Sequence, residues 1–374
     1  MTLAFESIQT ITRLTPLADV LALIDLRVKS VTPRTLDLTT ATGRILAADA
    51  TASARPSAAL ALLDGWALAA DTTLGAGGYS PVPLLHPPQR IETGQPLPPD
   101  ADSVAPLDAI RIVNGNAEAL VTINPGDGML PAGGDCDPGI PLRRAGEPLR
   151  MIDIAAFAAA GRARVMVREP RIRVLPLRGN GIVVAAARLI AGDIERRGGA
   201  LKLDEAGRDL GTVLAAENTD AIVVIGGTGS GRNDTCVHTL ARDCELALHG
   251  IAITPGETAA LGFAGPRPVL LLPGRLDSAL AVWLTVGRRI LERLAAANNR
   301  DREAAEVLPL ERKVTSTVGL AEIVPMRRLD GKAHPLATKY LALSALTRAD
   351  GWILVPAESE GYSAGTMVSL KPWP

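Results

Sequence analysis

Aromatic side chains are scarce, 3% of the 374 residues, too few for a base-stacking platform of any size. Charge imbalance is missing as well. The 39 basic and 40 acidic side chains leave a formal charge of -1, so no global field steers the chain to nucleic acid or an anionic membrane. No apolar run approaches the ~18 residues of a membrane helix. The opening MTLAFESIQTITRLTPL lacks an apolar segment followed by a cleavage site, which argues against a signal peptide. Cysteine is limited to Cys136, Cys236 and Cys244; an odd few in a long chain argue against a disulfide framework and for a reducing cytoplasm. The four histidines are scattered and build no nucleophilic triad. Without CxxC or HxxxH spacing, Cys236, His238 and Cys244 read as packing residues rather than metal ligands.

What is there is globular: 47% hydrophobic and 21% charged residues exclude a largely disordered chain, and the length suits two to four modules. The texture divides the chain into four parts. Residues 1–53 and 141–169 read as a split linker domain, with a helix in TPLADVLALIDLRVKS (Thr15 as cap, Pro16 in the first turn) and another in RMIDIAAFAAAGRARV. Residues 54–140 are rich in Pro and Gly, with short strands expected in AIRIVNG and ALVTINPG, and read as an inserted β-rich domain. Residues 170–298 alternate apolar strands with helices, the pattern of a parallel sheet covered on both faces. Residues 299–374, including DGWILVPA and TMVSLKP, read as a separate β module.

Three strand-to-helix turns in the third part carry the chemistry. RIRVLPL leads through RGNG into a helix; AIVVI leads through GGTGSGRND into the helical pattern TCVHTLARDCELAL; PVLLL leads through PGR into LDSALAVWLTVGRRILERLAAA. Parallel strands open all three on one edge. There, small residues let backbone N–H groups reach a ligand, and each following helix is expected to offer its N-terminus to negative charge. Gly226, Gly227, Gly229, Ser230 and Gly231 make the densest turn. The spacing to Arg232 fits GxxxxG, yet Arg232 replaces the P-loop lysine and Asn233 the Mg²⁺-binding hydroxyl. A glycine turn that only packs helix on strand is the competing reading. Each turn also carries an arginine, Arg178, Arg232 or Arg275, and three guanidinium groups on one edge favour an anion pocket. Asp234 caps a helix or serves the site. On spacing alone, Asp64 and Thr93 are turn residues.

At these residues the chain resembles the molybdopterin molybdenumtransferase family, MoeA and the gephyrin E domain, nearly from end to end. LLDGWALAAD is similar to the family's MDGYA segment, RIETGQPLPPDADSV to its R-I-x-T-G-A-P-x-P-x-G-A-D-x-V segment, and PLRRAGEPL to R-x-x-G-E-D. GGTGSGRND resembles G-G-V-S-x-G-x-x-D, ITPGE resembles K-P-G-K, and LLPGRLDSA resembles L-P-G-N-P. The tail GWILVPAESEGYSAGTMVSL is similar to the family's C-terminal barrel. The resemblance implies a multidomain α/β fold: a molybdopterin-binding parallel-sheet domain, a β-rich insertion, a split linker domain and a C-terminal β-barrel.

It also implies a reaction. Adenylylated molybdopterin and molybdate bind, molybdenum enters the dithiolene, AMP leaves and Mg²⁺ assists. The β-rich domain serves the site of the partner subunit in a homodimer. Carried over residue by residue, Asp64, Thr93, Asp234 and Pro273 match functional positions, and Asp204 in LKLDEAG matches more loosely. Asp64 and Asp234 would hold Mg²⁺. The turn Gly226–Arg232 would cradle phosphate with Arg178, Pro273, Gly274 and Arg275.

The chain departs from the pattern at four of its positions. Gly181 stands where the family has glutamate, Thr254 and Glu257 replace the two lysines, and Leu276 replaces the second proline. A charge-assisted hydrogen bond contributes roughly 1.5–3 kcal/mol, so each lost lysine would weaken an oxyanion by about 10- to 100-fold. The expectation is a rewired pocket that binds a phosphorylated pterin and handles metal differently or not at all. The alternative is a non-catalytic protein that stores the cofactor or delivers it to a molybdoenzyme. Molybdopterin adenylyltransferase is a further expected partner.

Overall fold

The computed structural model describes residues 9–231, 234–298 and 306–374. The chain forms two compact units. One holds residues 1–48, 145–155 and 162–374; the other holds residues 49–144 and 156–161.

The larger unit is built on a six-stranded sheet. Its elements run β1 (Arg171–Pro176), α1 (Gly181–Arg196), β2 (Ala200–Leu203), β3 (Ala221–Ile225), α2 (Cys236–Asp243), β4 (Glu245–His249), β5 (Ala260–Ala264), β6 (Arg267–Leu272), α3 (Leu276–Val282) and α4 (Arg288–Ala295). The strand order is β2-β1-β3-β6-β5-β4. The first four strands are parallel; β5 and β4 continue antiparallel at one edge. β3 and the C-terminal halves of β1 and β6 are apolar because both faces are covered. In β3, Ala221, Val223 and Ile225 face a core shared with α1, α3 and α4. Ile222 and Val224 face a second core completed by Leu210, Val213, Val237 and Leu240.

Three local expectations need correction here. The helix expected over TCVHTLARDCELAL stops at Asp243, and ELALH is strand β4. Apolar residues at Leu246 and Leu248 suit either period, and pairing with β5 decides for the strand. The strand expected in ALVTINPG lies earlier, at Asn116–Ala119. Asn114 and Gly115 both have positive φ, 51° and 83°, and form the two-residue hairpin that returns Ile110–Val113 onto it. At the N-terminus the first helix is Leu17–Arg27, and Thr15 pairs with Ile251 instead of capping it.

The C-terminal module is a half-barrel-like sheet around Ala321–Leu329, flanked by Lys332–Pro335, Gly351–Val355 and Met367–Pro372. It takes in strand Ile251–Thr254, which pairs in parallel at Ile253–Ala321 and Thr254–Glu322. The ITPGE segment therefore joins the α/β core to the C-terminal sheet.

The smaller unit is β-rich. Gln89–Ile91, Gly65–Leu68 and Ser103–Pro106 form one antiparallel sheet. Val82–Pro83, Asn116–Ala119 and Ile110–Val113 form another. Among the described residues no helix is long and apolar enough to cross a membrane.

Candidate functional site

The chain leaves β1 outward to β2 and returns on the other side to β3, so β1 and β3 flank a topological switch point. In such sheets the crevice beyond the strand C-termini at this point is where ligands bind. Register places Pro176, Ile225 and Leu272 abreast at that edge. The three turns converge: a Cβ on Gly274 would lie 3.6 Å from the Gly226 Cα.

The β3 turn is shaped by Gly226 and Gly227, at φ 99° and 77°, a region that side chains disfavour. A Cβ on Gly227 would also lie 2.5 Å from Leu177 and 2.7 Å from the Cys236 sulfur. The carbonyl side of this turn is tied down. Gln9 Nε2 donates to Gly227 O at 3.2 Å and Gly229 O at 2.8 Å; the Cys236 N–H also donates to Gly227 O, and His249 Nε2 lies 3.1 Å from Thr228 O. The amide side is not tied. The N–H groups of Gly227, Thr228, Gly229 and Ser230 have no hydrogen-bond partner among the described residues. Successive unpaired backbone amides form an anion-binding concavity.

Each helix end carries at least one bond from a protein acceptor. Asn180 Oδ1 accepts from Val183 N–H in α1. Gln9 Oε1 accepts from Val237 and His238 N–H in α2. Asp277 Oδ1 accepts from Ser278 N–H in α3. A buried donor left unpaired is costly; at α2 Gln9 takes two such donors, at α1 and α3 one each is taken, and the Gly227–Ser230 amides have no acceptor among the described residues.

Asp234 closes that turn. Its Oδ2 accepts from Gly231 N–H at 3.2 Å and its Oδ1 lies 3.4 Å from Arg178 Nη2, joining the β1 and β3 turns. It does not cap α2, whose N-cap residue is Thr235. Ser230 is exposed, Pro273 is buried, and Arg232 lies outside the described residues. The Cys236 thiol is pushed up to about 12, first by burial and then by the Asp234 charge, so at neutral pH it stays protonated and is no thiolate nucleophile.

Arg275 turns to its own helix. It forms a two-pronged pair with Asp277, 3.1 and 2.6 Å, and lies 4.9 Å over the Tyr340 ring. The Glu257 carboxylate accepts from Gly256 N–H and its charge is felt at Arg275. Asp204 follows β2 at the same sheet edge, but its carboxylate is 1% exposed and takes two bonds from the buried Arg173.

In the smaller unit the structure brings Asp64 and Thr93 together. Asp64 Oδ1 accepts from the Thr93 N–H at 2.8 Å and its hydroxyl at 2.9 Å. These two bonds, the backbone one first, hold the carboxyl below its ordinary value despite slight desolvation. Its Oδ2 has no partner among the described residues. Among the described residues no three His, Cys, Asp or Glu side chains gather as a metal-binding group. Gln9 and His249 went unnoticed in the sequence, since neither lies in a motif and both act across more than twenty residues.

Three family models match in order along the chain. They are the MoeA N-terminal region (domain I and II) at residues 13–161, the molybdopterin binding domain, described as probable, at 177–293, and the MoeA C-terminal region (domain IV) at 307–373. Molybdopterin molybdenumtransferase 1 of Mycobacterium tuberculosis is 26% identical over 340 residues, 80% of this chain and 77% of that protein. A molybdopterin biosynthesis MoeA structure from Pyrococcus horikoshii has a TM-score of 0.77 at 22% identity, covering 96% of this chain and all of that one. A second MoeA structure from that organism has a TM-score of 0.75 at 25% identity, covering 97% and 100%. The chain belongs to the MoeA family.

Proposed function

We propose that this chain inserts molybdenum from molybdate into adenylylated molybdopterin, with release of AMP. Molybdenum cofactor biosynthesis is the process its family and relatives support. The observation that carries the reading is the row of partnerless amides Gly227–Ser230 at the switch point. The Thr228, Gly229 and Ser230 N–H groups point away from the held carbonyls of their own peptide units and would receive a phosphate without desolvating a side chain, and Arg178 stands beside them through Asp234.

Mg²⁺ belongs to this reading. That ion takes one or two carboxylates together with substrate phosphates instead of a full protein cage. Asp64 fits such a site: it is exposed, held ionised by Thr93, and keeps one oxygen unpartnered. With Asp234 it would hold the ion, which when bound supplies positive charge to the pyrophosphate. Thr93 fixes the orientation of the Asp64 carboxylate. We assign the two acids to one site shared across a homodimer, the smaller unit serving the partner's turn, in a cytoplasmic protein.

One observation favours a second reading, cofactor binding without metal insertion. At the ITPGE turn the family's two lysines are Thr254 and Glu257, and Arg275 beside it is engaged by Asp277. A carboxylate there repels an oxyanion such as molybdate. The assay is AMP release from adenylylated molybdopterin on adding molybdate and Mg²⁺. The enzyme reading expects AMP in proportion to molybdenum bound; tight molybdopterin binding with no AMP selects the second reading.

A further inference from the structure

Gln9 is 5% exposed and spends its whole hydrogen-bonding capacity on two elements more than two hundred residues away. Both carboxamide hydrogens go to carbonyls of the glycine turn, Gly227 and Gly229. Both lone pairs of Oε1 go to the second and third N–H groups of α2, Val237 and His238. The local N-cap, Thr235, makes no side-chain bond, so a residue from the chain's N-terminal segment does the capping. Three peptide units of the turn are thereby oriented: the Gly227 and Gly229 carbonyls point to Gln9 and the Thr228 carbonyl to His249, so the N–H groups of Thr228, Gly229 and Ser230, trans to them, point the opposite way.

We infer that Gln9 is a positioning residue for the phosphate-bearing ligand. It performs two acts with one amide group. It pins the turn through the carbonyls of the Thr228 and Ser230 peptide units so that these amides face the ligand, and it occupies the α2 N-terminus so that the anion is taken by the turn and not by the helix end. The inference rests on the molybdopterin reading above and assigns the geometry of that site to a side chain outside its motifs.

The two acts are separable by substitution. Gln9→Glu keeps an oxygen on the Val237 and His238 amides, where a carboxylate suits the helix end, but turns a second oxygen against the Gly227 and Gly229 carbonyls. Gln9→Met keeps the volume and makes neither set of bonds. The measurements are molybdopterin affinity by calorimetry and amide resonances of the turn, on the full chain. We expect both variants to bind molybdopterin about tenfold more weakly, the equivalent of one to two net hydrogen bonds. The Thr228–Ser230 amide resonances shift in both variants. The Val237 and His238 amides lose exchange protection in Gln9→Met only. A role confined to stability would lower the unfolding midpoint of Gln9→Met and leave its affinity at the wild-type value, which overturns the inference. Unshifted Thr228–Ser230 resonances in Gln9→Glu also overturn it, whether or not ligand binds. A wild-type chain that binds no molybdopterin instead overturns the reading beneath it.

Discussion

Asp64 is an exposed carboxylate whose chemistry is set by one neighbour 29 positions along the chain. Both Thr93 bonds favour the ionised form, so its pKa is lowered, and the sign of the consequence follows. A depressed carboxyl is fully ionised above its unfolded value near ~3.9 and loses its interactions only as pH falls through the folded value. Thr93→Val removes the hydroxyl bond and keeps the N–H bond, so the Asp64 midpoint should rise toward the ordinary value. A carboxyl-detected NMR titration from pH 2 to 6 reads this, and an unmoved midpoint would refute the account. At pH 7 the group is ionised in both forms, so a fall in AMP release there reports lost orientation, not lost charge. The sequence marked Asp64 and Thr93 separately; their contact depends on how Gly65–Leu68 pairs with Gln89–Ile91, which no local pattern states. Asp204 illustrates the opposite case. Its place at the sheet edge was legible, whereas its bidentate partner Arg173, on the neighbouring strand, was not.

At the scale of elements, the glycine turn was readable because its composition is its mechanism: positive φ and close approach both require glycine there. The long C-terminal helix of the core was readable only in part. LDSALAVWLTVGRRILERLAAA reads as one helix, yet Trp283–Gly287 forms a π turn between α3 and α4. The reason lies ninety residues away. Trp283 Nε1 donates to buried Asp193 at 2.8 Å, and Arg288 adds bonds of 2.9 and 3.1 Å to the same carboxylate. Burial pushes that carboxyl up, but Arg288, Arg197 and Trp283 together outweigh burial and hold it below its usual value. Gly287 permits the arrangement, for a Cβ there would lie 2.1 Å from the indole ring. Gly287→Ala therefore forces the ring off Asp193. Overpacking of about 1–3 kcal/mol adds to a lost hydrogen bond to a charged group of about 1.5–3 kcal/mol, so a loss of about 3 kcal/mol is expected. Urea unfolding of the full chain measures it; a midpoint equal to wild type would show that the helix absorbs the methyl group.

Over the whole molecule, the α/β core and its β-rich companion were legible from the order of motifs, because strands, turns and helices recur in one succession. What remained hidden was shared membership. Strand Ile251–Thr254 reads as part of the core but hydrogen-bonds into the C-terminal sheet, and Gln9 lies in no motif but is bonded to the glycine turn. The shared site proposed above takes Asp64 and Asp234 from different compact units. If two copies exchange these units' services, each site takes Asp64 from one subunit and Asp234 from the other. Asp64→Asn and Asp234→Asn should then each abolish AMP release alone. Co-expressed, they should restore roughly a quarter of wild-type activity, since half the dimers are mixed and each mixed dimer has one intact site. The mixture is assayed after a sizing column that confirms dimers. A catalytic site contained within one subunit predicts no recovery at any mixing ratio, because every chain then carries a broken site, and that result would end the shared-site assignment.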